Sequence, residues 1–144
     1  MRKIIALLAL ILGISLTACS LNVVDNLAGT SWVLDSWANE TLSPDGYGIT
    51  LEFGHDGGSK GRSSVNNYGS AYKVKKDHML VFSNTASTDM ASTDDDRHKA
   101  ESIYMNLLSE VQYYEISGEN LMLKDKGKSV IMTFHNVPFP SDSE

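Results

Sequence analysis

The chain holds one cysteine and three prolines in 144 residues, and its twelve basic side chains are outnumbered by eighteen acidic ones. A lone cysteine excludes an intramolecular disulfide and every zinc set that needs two thiolates. The formal net charge of −6 leaves no basic footprint, so no nucleic-acid partner is expected. Long apolar runs are missing too: the longest, Ile4 to Leu16, covers 13 residues, short of the roughly 20 a spanning helix needs. No G-x-S-x-G elbow offers a serine nucleophile. Gly54, Gly57, Gly58 and Gly61 do not sit between a strand and a helix, so they make no phosphate cradle.

The N-terminus carries more information. Arg2 and Lys3 precede the short apolar run, the layout of a secretory signal, predicted over residues 1–18. Leu16-Thr17-Ala18-Cys19 resembles the lipobox read by bacterial lipoprotein processing enzymes. That resemblance implies a diacylglycerol on the Cys19 sulfur and anchoring in the membrane, with more than one acyl chain to make it durable. An ordinary export signal would instead leave a free thiol, an odd feature in an exported domain. Ser20 after the cysteine resembles the pattern that permits sorting to the outer membrane, so a periplasm-facing position in the bacterial cell envelope is expected.

Without residues 1–18, ten basic residues face eighteen acidic ones. Such an acidic body is expected to be repelled by anionic headgroups, leaving the lipid to make the membrane contact. Residues 19–26 read as acylated terminus and tether, 27–136 as one domain, and 137–144 as a loose tail.

Within the domain, Trp32 with Leu34, and Ile49, Leu51 and Phe53, alternate with polar residues as half-buried strands do. Residues 59–69 suggest an irregular, bulged crossing. Lys76-Asp77-His78 is a hairpin turn between Ala71–Lys75 and Met79–Phe82, and 83–92 reads as extended surface chain. Ala100, Ile103, Tyr104, Leu107, Leu108 and Val111 recur at helical spacing. Thr93 with Asp96 resembles a capping box, and Asp94, Asp95 and Asp96 suit a helix start. Three strands follow, over 113–116, 121–123 and 130–134. The sum is a mainly β, α+β fold: a small antiparallel sheet or incomplete β-barrel covered by one amphipathic helix.

Asn66, Tyr68 and Tyr72 form the most interesting polar group. They are either a binding surface of amide and phenol groups or internal residues that serve the crossing and the sheet. His55, His78, His98 and His135 lack the spacing of paired metal ligands. Neither a metal nor a cofactor is expected, and no catalytic set is visible.

Six pieces in order are similar to the META domain family, which includes the HslJ-like heat-inducible lipoproteins: Leu27–Leu34, Ile49–Phe53 with Asp56-Gly57, Asn66–Tyr72, Thr88–Ser92, Tyr113–Gly118 and Leu121–Leu123. The resemblance implies a compact β-rich domain with a helix, linked to envelope stress, and no reaction to carry over. Many relatives have cysteines where this chain has Val65 and Ser92, positions that look like cross-link partners. The resulting expectation is a monomeric, non-enzymatic envelope protein that supports envelope integrity or stress tolerance by binding an unidentified envelope protein or lipid. The rival expectations are a pilotin-like or chaperone-like protein holding an acyl chain or peptide in an apolar groove, and an inhibitor of a hydrolase such as lysozyme.

Overall fold

A computed structural model describes residues 23–140. The expected signal peptide, Cys19 and the last four residues lie outside them. Eight strands run in chain order around a closed antiparallel barrel: β1 Thr30–Trp37, β2 Thr50–Phe53, β3 Gly58–Arg62, β4 Asn67–Lys75, β5 Met79–Ser87, β6 Tyr113–Ser117, β7 Asn120–Lys124 and β8 Val130–Val137. One helix, α1 Asp95–Glu110, stands between β5 and β6.

The β-rich class with a single helix agrees with the sequence; the open sheet or incomplete barrel does not. Closure comes from β8, which returns to β1 from Ser31↔Val137 to Trp37↔Met132. A register shift between Leu34 and Ser36 lets Trp32, Leu34 and Trp37 all point inward, since a bulge resets the two-residue alternation. Leu51 and Phe53 of β2, Leu121 and Leu123 of β7 and Phe134 of β8 are fully buried beside them.

The expected irregular crossing over 59–69 is a regular hairpin, β3 with β4, turning at 63–66. Its sequence hides this because β3, Gly-Ser-Lys-Gly-Arg, has no apolar residue to show the alternation. Gly61 is required there: a Cβ would collide with the Thr50 carbonyl. The extended stretch after Phe82 continues as β5 to Ser87. Helix α1 begins one residue later than the Thr93 box implies. Asp94 is its N-cap, its carboxylate accepting from the N–H groups of Asp96 and Arg97 at 3.1 and 3.2 Å, because an aspartate satisfies the first-turn donors directly. The inward stripe is Ala100, Tyr104 and Leu108, with Ile103 and Leu107 half-buried.

One end of the barrel gathers the start of β1, the 54–57 and 76–78 turns and the end of β8. Leu27, fully buried, packs into the core from that side. The segment expected as tether is engaged here. Asp25 Oδ1 accepts the Leu27 and Ala28 N–H groups, Asp25 Oδ2 accepts the Tyr72 hydroxyl at 3.0 Å, and Asn26 Oδ1 accepts the Tyr114 hydroxyl at 2.6 Å. The other end carries the 38–49 loop, the 63–66 turn and the start of α1.

Candidate functional site

The three polar residues singled out in the sequence do not form a surface. Asn66, Tyr68 and Tyr72 are all buried, and each serves a different internal bond. Asn66 Oδ1 accepts the Met90 N–H at 2.7 Å and the Thr88 hydroxyl at 2.9 Å, while its Nδ2 donates to Glu101 Oε2 at 2.9 Å. Tyr68 donates to the Thr50 carbonyl, and Tyr72 shares its one proton between Asp25 Oδ2 and the Gly54 carbonyl. Burial and these bonds commit all three side chains to holding the fold together.

Glu101, which the sequence did not flag, organises the far end. Its Oε1 accepts the Asn66 N–H at 3.0 Å and the Ser63 hydroxyl in a very short bond. Thus the first half of α1 is fastened to the β3–β4 turn by a carboxylate 35 residues away from it. Within that turn Ser64 is fully buried at φ 109°. Among the described residues its hydroxyl has no hydrogen-bond partner.

The interior is filled by side chains, with Tyr104 of α1 reaching Tyr68 at its centre. Burial first, and the neighbouring Tyr104 second, push the Tyr68 hydroxyl well above the usual tyrosine range. Burial raises Tyr104 too, the bond to Tyr68 working weakly the other way. The barrel lumen is therefore a packed apolar core in which these two phenols are held neutral.

A surface groove lies at the seam. Strands β5 and β6 share one bridge, Met79↔Tyr113, backed by the Leu80 N–H to Gln112 carbonyl bond of 3.0 Å. Tyr113 is the first residue of β6, and toward the rest of β5 its place is taken by the end of α1. Between β5 and α1 runs a groove of about 620 Å³ with Met79, Val81, Phe82, Met105, Leu108 and Val111 among its walls. Peptide groups of alternate residues face alternate edges of a strand. Those of Phe82 therefore share the edge of Leu80, where β6 offers no further residue. Apolar walls thus stand beside a strand edge that β6 leaves unpaired.

The four histidines fall in four places. His55 lies 6.5 Å from the Phe139 ring, His78 meets Tyr114 edge-on, His98 contacts the Ser92 carbonyl and His135 pairs with Asp35 at 2.5 Å. Among the described residues no three His, Cys, Asp or Glu side chains converge as a metal set. Nor is any helix among them long and apolar enough to cross a membrane.

Comparison with known proteins agrees with this architecture. A protein from Burkholderia xenovorans, solved by NMR, is similar over 77% of this chain and 83% of its own, with 27% identity and a TM-score of 0.64. A second NMR structure matches 80% of this chain and 95% of its own at 18% identity and TM-score 0.60. A crystal structure of a duf4847 family protein from Bacteroides vulgatus matches 78% and 96% at 15% identity and TM-score 0.55. The last two bear on fold alone. No curated protein matches. The META domain model matches residues 25–137, from the aspartate that fastens the N-terminal segment to the last residue of β8, and the chain belongs to the META domain family.

Proposed function

We propose that this META-domain protein is a lipid-anchored, non-enzymatic component of the bacterial envelope that acts by binding an extended segment of an envelope partner in the β5–α1 groove. The N-terminal sequence through Cys19 supports the anchor, and the outer membrane facing the periplasm is its proposed place. A role in envelope integrity or stress tolerance goes with the family. The observation that carries the binding reading is the unpaired β5 edge beside apolar walls. An acyl chain would use the walls but leave the peptide groups of Phe82 unmet, so a peptide fits better than a lipid tail. The non-enzymatic reading rests on the buried polar groups, whose hydrogen bonds are spent on the fold.

A photoreactive residue at Asn84, beside the groove, is expected to capture a discrete partner in cells, and the same residue at Glu40 on the β1–β2 loop is not. Met105→Glu, which places a charge in the groove, is expected to abolish the adduct. Equal capture at both positions, or adducts indifferent to Met105→Glu, would remove the groove from the account. A lipid retained on the purified protein and lost in Met105→Glu would instead favour the acyl-chain alternative. Survival of a deletion strain under heat or hydrophobic antibiotics tests the stress role; survival equal to wild type would refute it.

A further inference from the structure

The described residues include no cysteine, so their sulfur lies in Met79, Met90, Met105, Met122 and Met132. Two of these line the β5–α1 groove, one from each wall. Met79 opens β5 at the single bridge to Tyr113. Met105 stands one helical turn before Leu108, on the same face of α1. Both are half-buried, and the groove that they line gives small solutes a way to them. None of the side chains lining the groove is charged, so its character depends on the apolar ones. The other methionines provide contrast. Met90 is 53% exposed in the stretch before α1, Met122 is half-buried on β7, and Met132 of β8 is 1% exposed.

We propose that Met79 and Met105 are oxidation sites through which hypochlorous acid switches the groove off. The inference rests on the groove being where the partner binds. A thioether lone pair takes the chlorine of hypochlorous acid as the O–Cl bond breaks and hydroxide leaves. Hydroxide then displaces chloride from sulfur and gives up its proton. An S–O bond has formed, sulfur has lost two electrons and chlorine has left as chloride. The sulfoxide replaces a flexible apolar side chain with a polar one. An apolar segment seated between Met79 and Met105 would then strip water from two sulfoxide oxygens without replacing its hydrogen bonds. With the Cys19 sulfur expected to carry lipid, no thiol of this chain competes for the oxidant. The switch is reversible, because methionine sulfoxide reductases return the thioether.

The test uses the purified acylated protein with the photoreactive residue at Asn84. It is treated with hypochlorous acid, freed of oxidant and added to solubilised envelope from an untreated deletion strain, so the partner itself is never oxidised. Mass spectrometry is expected to find sulfoxide at Met79, Met105 and Met90 and none at Met132. Capture is expected to fall several-fold, with the circular dichroism of the barrel kept, and to return after treatment with sulfoxide reductases for both epimers. Met90→Leu with Met122→Leu is expected to leave that loss in place. Capture unchanged with both groove sulfoxides present would overturn the switch and leave the groove reading standing. Intact Met79 and Met105 at a dose that fully oxidises Met90 would overturn it too. So would a loss that disappears in the Met90→Leu, Met122→Leu variant, or one that accompanies unfolding. No capture by the unoxidised protein would remove the groove reading, and the switch with it.

Discussion

The hydroxyls of Tyr68 and Tyr104 stand 2.6 Å apart inside the barrel, and the Thr50 carbonyl 2.9 Å from Tyr68 decides which of them donates. A carbonyl only accepts, so the Tyr68 proton goes to Thr50 and the Tyr104 proton goes to Tyr68.

That direction makes the two phenols unequal. Tyr104→Phe removes one donor and leaves the Tyr68–Thr50 bond in place, at an expected cost of ~1 kcal/mol. Tyr68→Phe strands both the Thr50 carbonyl and the Tyr104 hydroxyl, at ~2–3 kcal/mol. Urea unfolding of the two variants measures the difference, and equal losses would contradict the proton order.

Burial raises both hydroxyls above the ordinary tyrosine value of 10.0. In the unfolded chain they ionise near 10, so the folded state holds more protons above that pH. Their stabilising contribution is complete below about pH 10 and declines as the pH rises beyond it. Tyrosinate absorbance and circular dichroism followed together are expected to show a late ionisation step coincident with loss of the barrel. A full tyrosinate signal with the barrel intact would refute the burial of this pair.

Ser64 combines φ 109° with a buried hydroxyl that has no partner. Ser64→Gly relieves both, and the gain is expected to exceed the entropy added to the unfolded chain by on the order of 1 kcal/mol. A lower thermal midpoint in the variant would show that the turn draws something from the serine.

Glu101→Gln keeps the shape but presents an NH₂ group to a site full of donors, the Ser63 hydroxyl, the Asn66 N–H and the Asn66 amide. The expected loss is ~2 kcal/mol, the scale of a hydrogen bond to a charged group. Denaturant unfolding reads it, and a neutral result would mean that the carboxylate is dispensable.

The Asn66–Met90 bond brings the β3–β4 turn to the stretch before α1, the two segments that carry Val65 and Ser92. Val65→Cys with Ser92→Cys is expected to oxidise and to add ~3 kcal/mol of stability by restraining the unfolded chain. A double variant that stays reduced in air would show that the two positions are out of reach.

The helix was legible because its apolar stripe is local: Ala100, Tyr104 and Leu108 announce their own spacing. Most strands were legible for the same reason. Barrel closure was not, since it depends on Ser31 finding Val137, and no feature within either segment encodes that pairing. The Asn66, Tyr68 and Tyr72 group stood out by composition, yet its partners Glu101, Thr50 and Asp25 lie 18 to 47 positions away. Glu101 left no signal at all, being one more acid on an acidic helix. The groove was hidden likewise, because it is made by the failure of two strands to pair.

That failure shapes how the molecule moves. The other interstrand ladders pair from two residues, between β2 and β3, to seven, between β4 and β5, whereas β5 and β6 meet at one bridge, so the cylinder is a rolled ribbon fastened by a small clasp. Opening the clasp would leave a continuous seven-ladder sheet, with β1 and β8 still paired from Ser31↔Val137 to Trp37↔Met132. Amides near Leu80 and Gln112 would then exchange with solvent long before those of β1 or β8. Local opening is thus expected first along this one line, with the rest of the fold kept.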